Sequence, residues 1–94
     1  MSERTANALS KLDALLASLG ALSKNEHSEG LIQNAEALRR AVAAFHMEAI
    51  RFRMFSVDRD LKAAGDPADA RRILEDLRHA LEEAGFHTRS HTAP

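Results

Sequence analysis

Residues 45–55 have the sequence Phe-His-Met-Glu-Ala-Ile-Arg-Phe-Arg-Met-Phe, which contains three of the four phenylalanines and two of the three methionines. They lie inside a longer segment, 28–64, in which Gly30 is the only glycine and proline is absent. Because glycine and proline usually mark the ends of helices, this segment predicts one helix over 28–64, with Ser28 as its N-cap. At 1.5 Å per residue, such a helix would be about 55 Å long.

Two apolar stripes follow each other along this segment. The first keeps a helical four-three spacing and consists of Leu31, Ala35, Leu38, Val42, Phe45, Ala49 and Phe52. The second begins midway, lies on the opposite side of the helix and consists of Met47, Ile50, Met54, Val57 and Leu61. A helix that is apolar on nearly every side must be covered on every side. A break near Ser56 or Asp58, either of which could cap a new helix, is the alternative.

Shorter helices are predicted on both sides of this segment. A heptad-like row predicts a first helix over 2–22, capped by Ser2 and built on Leu9, Leu12, Leu16 and Leu19. Residues 87–94 are polar and predict a mobile C-terminal tail.

Glycine and proline delimit the last helix, which is predicted over 66–84. Gly65 would end the preceding helix, Asp66 would be the N-cap and Pro67 would occupy the first helical position. Gly85 and Phe86 predict a Schellman motif, with a left-handed glycine followed by an apolar contact.

These elements predict an all-α fold of three antiparallel helices with a long central helix, forming an elongated bundle over residues 1–86. Neither of the two helices of about 30 Å can cover the whole of a rod of about 55 Å. A chain this short also buries only about 60–65% of its unfolded surface, so we expect dimerisation to complete the bundle. The alternative is a closed monomer in which the long helix breaks and its phenylalanines turn inward.

The apolar centre of the long helix is therefore the predicted interface, or the core beneath it. Its residues are Phe45, Met47, Ile50, Phe52, Met54 and Phe55. We expect a non-catalytic protein that acts by association, as a homodimeric adaptor or regulatory subunit. A helical protein partner is the other occupant considered, because methionine-rich helix surfaces accept foreign helices.

Composition excludes several classes of function. The chain is 45% hydrophobic and 4% aromatic, has no cysteine and carries a formal net charge of −1. It therefore cannot form disulfides, a thiolate metal site or a cysteine nucleophile. No apolar run approaches the roughly 20 residues of a membrane span. Without an export signal or cysteine, a cytoplasmic location is expected. The absence of a glycine-rich phosphate loop and of a nucleophile elbow predicts no enzyme activity and no cofactor.

Two alternative functions rest on the long helix. His46 has Arg39 and Arg53 at seven-residue spacing, an arrangement that would suit a phosphoacceptor histidine with cationic neighbours. In having a histidine midway along a helix, the chain resembles histidine-phosphotransfer domains. The lysine and glycine that typically follow that histidine are missing, and those domains need four helices. The arginines of the same helix are the basis for weak nucleic-acid binding, which the interleaved acids disfavour.

A further cluster lies on the last helix. Asp76, His79 and Glu83 share one face at three- and four-residue spacing, which can place several ligands on one metal ion. No matching acids are predicted on the other helices, so we expect a solvated charged face and no metal.

Overall fold

The computed structural model describes residues 3–22 and 26–86, which form helices α1 (Glu3–Gly20), α2 (Glu26–Ala43), α3 (Met47–Ala63) and α4 (Ala68–Glu83). The prediction of an all-α fold is confirmed. The predicted N-cap Ser2 and the predicted tail 87–94 lie outside the described residues.

The predicted long central helix is wrong, because residues 44–46 divide it into α2 and α3. The backbone N–H of His46 donates to the carbonyl of Ala41 at 3.0 Å, and that of Phe45 donates to Val42 at 3.1 Å. This is the hydrogen-bond pattern of a Schellman motif. Phe45 occupies the left-handed position, with φ +58°, where glycine is usual. The helix thus ends at a residue type that gives no sequence signal for an end.

His46 also begins α3. Its backbone is extended, and its Nδ1 accepts a hydrogen bond from the backbone N–H of Ala49 at 3.3 Å. One residue therefore completes the C-cap of α2 and caps the N-terminus of α3. The alternative break near Ser56 or Asp58 is wrong as well, since both residues lie inside α3.

The predicted Schellman motif at the end of α4 is confirmed. Gly85 has φ +98°, and the backbone N–H of Phe86 donates to Leu81 at 2.8 Å. The Phe86 side chain is buried against the core, which supplies the apolar contact of the motif.

The start of α4 differs from the prediction by one residue. Pro67, not Asp66, is the N-cap of α4. Asp66 instead follows the left-handed Gly65 in the Schellman motif that ends α3, and its backbone N–H donates to Leu61 at 2.8 Å. Its carboxylate accepts a hydrogen bond from Arg71 Nε at 2.8 Å.

Both apolar stripes line one core, but they belong to different helices. The first stripe is buried on α2 as far as Val42, and the second is buried on α3 from Ile50 to Leu61. Phe45 at the break and Phe52 beyond it, both of the first stripe, are exposed. The turn therefore changes which side of the segment faces the core.

The helices form a bundle in which α1 and α2 lie inside and α3 and α4 lie at the edges. α1 packs on α2 and α4, α2 packs on α1 and α3, and α3 and α4 touch only slightly. The bundle measures 34 × 31 × 19 Å, with a radius of gyration of 12.4 Å. The prediction of an elongated protomer is therefore wrong, because four helices of 16 to 18 residues fold back on one another.

Substitution of Phe45 tests the left-handed turn. Within a continuous helix, alanine is more stabilising than glycine by about 1 kcal/mol. At a left-handed position the order reverses, because a side chain there costs about 1–2 kcal/mol. Both variants lose the contact between the Phe45 and Phe86 rings, whose centroids are 5.8 Å apart. We therefore expect Phe45→Gly to be more stable than Phe45→Ala by about 1 kcal/mol in urea unfolding. A more stable alanine variant would contradict the left-handed conformation of residue 45.

Candidate association surface on α3

The side of α3 that faces away from the core carries two exposed phenylalanines. Phe52 is 59% exposed and Phe55 is 57% exposed, and they lie three residues apart, about one helical turn. On the opposite side of α3, Ile50 and Met54 are fully buried. The two rings thus form an apolar surface that the described part of the chain leaves uncovered.

This surface extends along the helix as a row that we call the α3 outer face. It consists of exposed residues at spacings of four, three, four and three, namely Glu48, Phe52, Phe55, Arg59 and Lys62. Such spacing keeps side chains on one side of a helix and is the spacing of a coiled-coil seam. In this row only Phe52 and Phe55 are apolar, so the α3 outer face has an apolar centre and charged ends.

Arginines lie over both rings. The Cζ atom of Arg53 is 5.3 Å from the centroid of the Phe52 ring, and that of Arg59 is 5.9 Å from the Phe55 ring. Exposed contacts of this kind contribute about 0.5–1 kcal/mol each. Arginine and aromatic side chains are both enriched in the cores of protein interfaces.

Hydrogen bonds to α2 fix the rotation of α3 that turns the rings outward. Asn34 Nδ2 of α2 donates to Asp60 Oδ2 at 2.6 Å, and Arg53 Nη1 donates to Asn34 Oδ1 at 2.9 Å. A rotation of α3 that moved Phe52 toward the core would break both hydrogen bonds and expose Met54. Exposure of the rings is thus a consequence of how α3 packs on α2.

Ion pairs join the other side of α3 to α4. Arg71 of α4 donates to Asp58 of α3 through Nη1 and to Asp66 through Nε. Burial raises the pKa of the Asp58 carboxyl, but the hydrogen bond and charge of Arg71, with the charges of Lys62 and Arg78, hold it below its ordinary value. Because α3 and α4 touch only slightly, this cluster is a main link between them.

The six predicted interface or core residues fall into two groups. Phe45, Phe52 and Phe55 are exposed, whereas Ile50 and Met54 are fully buried. The sixth, Met47, is partly buried and packs against the core.

The structure gives each member of the predicted phosphoacceptor group a different neighbour. His46 accepts from the backbone of Ala49, Arg39 Nε donates to Asp13 Oδ1 of α1 at 2.8 Å, and Arg53 donates to Asn34. The bundle does have four helices, as phosphotransfer domains require. However, His46 lies in the turn between α2 and α3, so the one feature that carried the resemblance is absent.

The other predicted clusters are dispersed or exposed. The arginines of the predicted long helix are divided between α2 and α3. Asp76, His79 and Glu83 lie exposed on α4, and no group of three or more possible ligands in 3–22 and 26–86 could hold a metal ion. In the same residues, no helix is both long enough and apolar enough to cross a membrane.

The lowered pKa of Asp58 gives the α3–α4 link a testable pH dependence. We expect Asp58→Asn to reduce the free energy of unfolding by about 1–3 kcal/mol at pH 7. A carboxylate with a lowered folded pKa stabilises fully above its unfolded pKa of about 4, and this contribution is lost as the pH falls through the folded value. The difference between parent and variant should therefore shrink from pH 7 to pH 3 in urea unfolding.

The matched control for this experiment is Asp76→Asn, which removes an exposed carboxylate from α4. We expect it to change stability by less than about 0.5 kcal/mol. An Asp58→Asn effect that is no larger, or that is the same at both pH values, would contradict the assigned role of the ion pair.

No family model, curated protein or solved structure matches this chain. The functional conclusion therefore rests on the α3 outer face, where Phe52 and Phe55 are exposed.

Proposed function

We propose that the chain is a non-catalytic protein that acts by association, forming a homodimer through the α3 outer face and serving as an adaptor or regulatory subunit. The observation that carries this proposal is the exposure of Phe52 and Phe55 on adjacent turns of one helix. Isolated exposed apolar residues are common on proteins, whereas adjacent large ones are typical of interaction surfaces.

The energy available from these rings is consistent with a reversible dimer. Burying the exposed remainder of each phenylalanine contributes about 1–2 kcal/mol, and a two-fold dimer buries four such rings. Loss of translational and rotational freedom opposes this gain by several kcal/mol. The arginines beside the rings must therefore contribute as well, and we expect a weak dimer with a dissociation constant of about 100 μM to 1 mM.

The deciding experiment compares the parent chain with the variant Phe52→Glu/Phe55→Glu. We expect the parent to sediment increasingly as a dimer as its concentration rises through about 100 μM to 1 mM. The variant should sediment as a monomer and keep its far-ultraviolet circular dichroism, because both side chains lie outside the core. Sedimentation equilibrium and circular dichroism measure the two properties.

Two controls separate loss of association from loss of folding. Ala14→Glu introduces the same charge at an exposed position of α1 and should remain a dimer. Met54→Glu places a carboxylate at a fully buried position and should lose helicity. A parent chain that is monomeric at every soluble concentration would refute the homodimer. A Phe52→Glu/Phe55→Glu variant that still dimerises would show that the α3 outer face is not the interface.

A further inference from the structure

The charges of the α3 outer face are arranged so that the face is complementary to itself. Glu48 lies four residues before Phe52, and Arg59 lies four residues after Phe55. The row therefore has an acidic end, an apolar centre and a basic end, which Lys62 extends. Two copies of such a row match in sign when they run in opposite directions.

We propose that the two protomers pair their α3 helices antiparallel, with the two-fold axis passing between Phe52 and Phe55. This inference rests on the proposed function and specifies its geometry. Phe52 then packs on Phe55 of the partner subunit. Glu48 lies four residues before Phe52, and Arg59 lies four residues after Phe55. Glu48 therefore faces Arg59 of the partner subunit.

The spacing of the row supports this register. In an antiparallel pair of helices with four-three spacing, the two kinds of seam position face each other in successive layers. Phe52 and Phe55 are consecutive positions of the row, one of each kind. Glu48 and Arg59 are the next positions on either side. Two-fold symmetry makes every contact occur twice, so one ion pair in the sequence becomes two in the dimer.

A parallel pairing would oppose like charges. Glu48 would face Glu48 of the partner subunit, and Arg59 would face Arg59 of the partner subunit, which disfavours the complex. In the protomer, Glu48 has no ion-pair partner among the described side chains. Arg59 is 61% exposed, and its contact with Asp60 at 3.3 Å is made within its own helix. Both charged groups are therefore available to a partner.

The size of the surface limits the affinity. The 17 residues of α3 span about 25 Å, and a helix presents a strip about 10 Å wide. This area is well below the about 800 Å² per partner of a standard stable interface. The two ion pairs that flank the rings must therefore contribute to the free energy of dimerisation.

Charge reversal tests the register. We expect Glu48→Arg and Arg59→Glu each to weaken the dimer roughly tenfold at low salt, because each variant opposes like charges twice. The double variant should restore association to within about twofold of the parent. Asp76→Arg, a reversal at an exposed position of α4, should leave the dissociation constant unchanged. Sedimentation equilibrium gives the dissociation constants.

Disulfide cross-linking tests the direction independently, because the chain has no cysteine. An antiparallel pair brings position 48 of one copy near position 59 of the other, within the about 7 Å between Cα atoms that a disulfide requires. Positions 48 of the two copies would lie about 16 Å apart, or eleven residues of helix. A mixture of Glu48→Cys and Arg59→Cys should therefore cross-link under mild oxidation, and Glu48→Cys alone should not.

The outcomes distinguish the two proposals. Unchanged dimerisation of the reversed variants, or cross-linking of Glu48→Cys alone, would overturn the antiparallel register. If the glutamate substitutions at Phe52 and Phe55 still dissociate the dimer, the proposed function remains. A monomeric parent chain overturns both.

Discussion

The turn at residues 44–46 determines how the rest of the molecule is arranged. Its central constraint is the hydrogen bond from the backbone N–H of His46 to Ala41, which requires Phe45 to adopt a left-handed conformation. This turn reverses the chain and divides one apolar segment between two helices. It also allows α3 to rotate relative to α2, so that Ile50 and Met54 enter the core and Phe52 does not. The turn at residues 44–46 therefore accounts for both the closed bundle and the exposure of Phe52.

Polar contacts hold α3 in that rotation. On one side, Asn34 of α2 binds both Asp60 and Arg53, and on the other, Arg71 of α4 binds Asp58. These contacts matter because the slight packing between α3 and α4 does not by itself fix the edge helix. Leaving an apolar ring exposed to water costs free energy, which the proposed association would recover. The outward position of Phe52 and Phe55 is thus fixed by the packing of the protomer itself.

Whether a helix end could be predicted from the sequence depends on the residue type at that end. Gly65 and Gly85 adopt positive φ, and both ends were predicted because glycine favours that conformation. The end at Phe45 was missed, since neither glycine nor proline marks it. The remaining signal was the second apolar stripe, which begins near the break and indicates a new helix. Phe52 and Phe55 were predicted as interface or core residues, but which of the two was not predictable, because exposure depends on side-chain contacts between α2 and α3 that residue spacing does not specify.

The position of α3 in the bundle gives a reason for antiparallel association. The interior helices α1 and α2 each have two extensively packed neighbours, whereas α3 has one. Neighbouring helices in an up-and-down bundle run in opposite directions, so that short turns join them and their dipoles oppose favourably. An antiparallel α3 from a second copy would repeat this relation across the two-fold axis and give α3 a second packed neighbour. The long rod that the sequence predicted does not exist, and the proposed association rests instead on one edge helix with two uncovered rings.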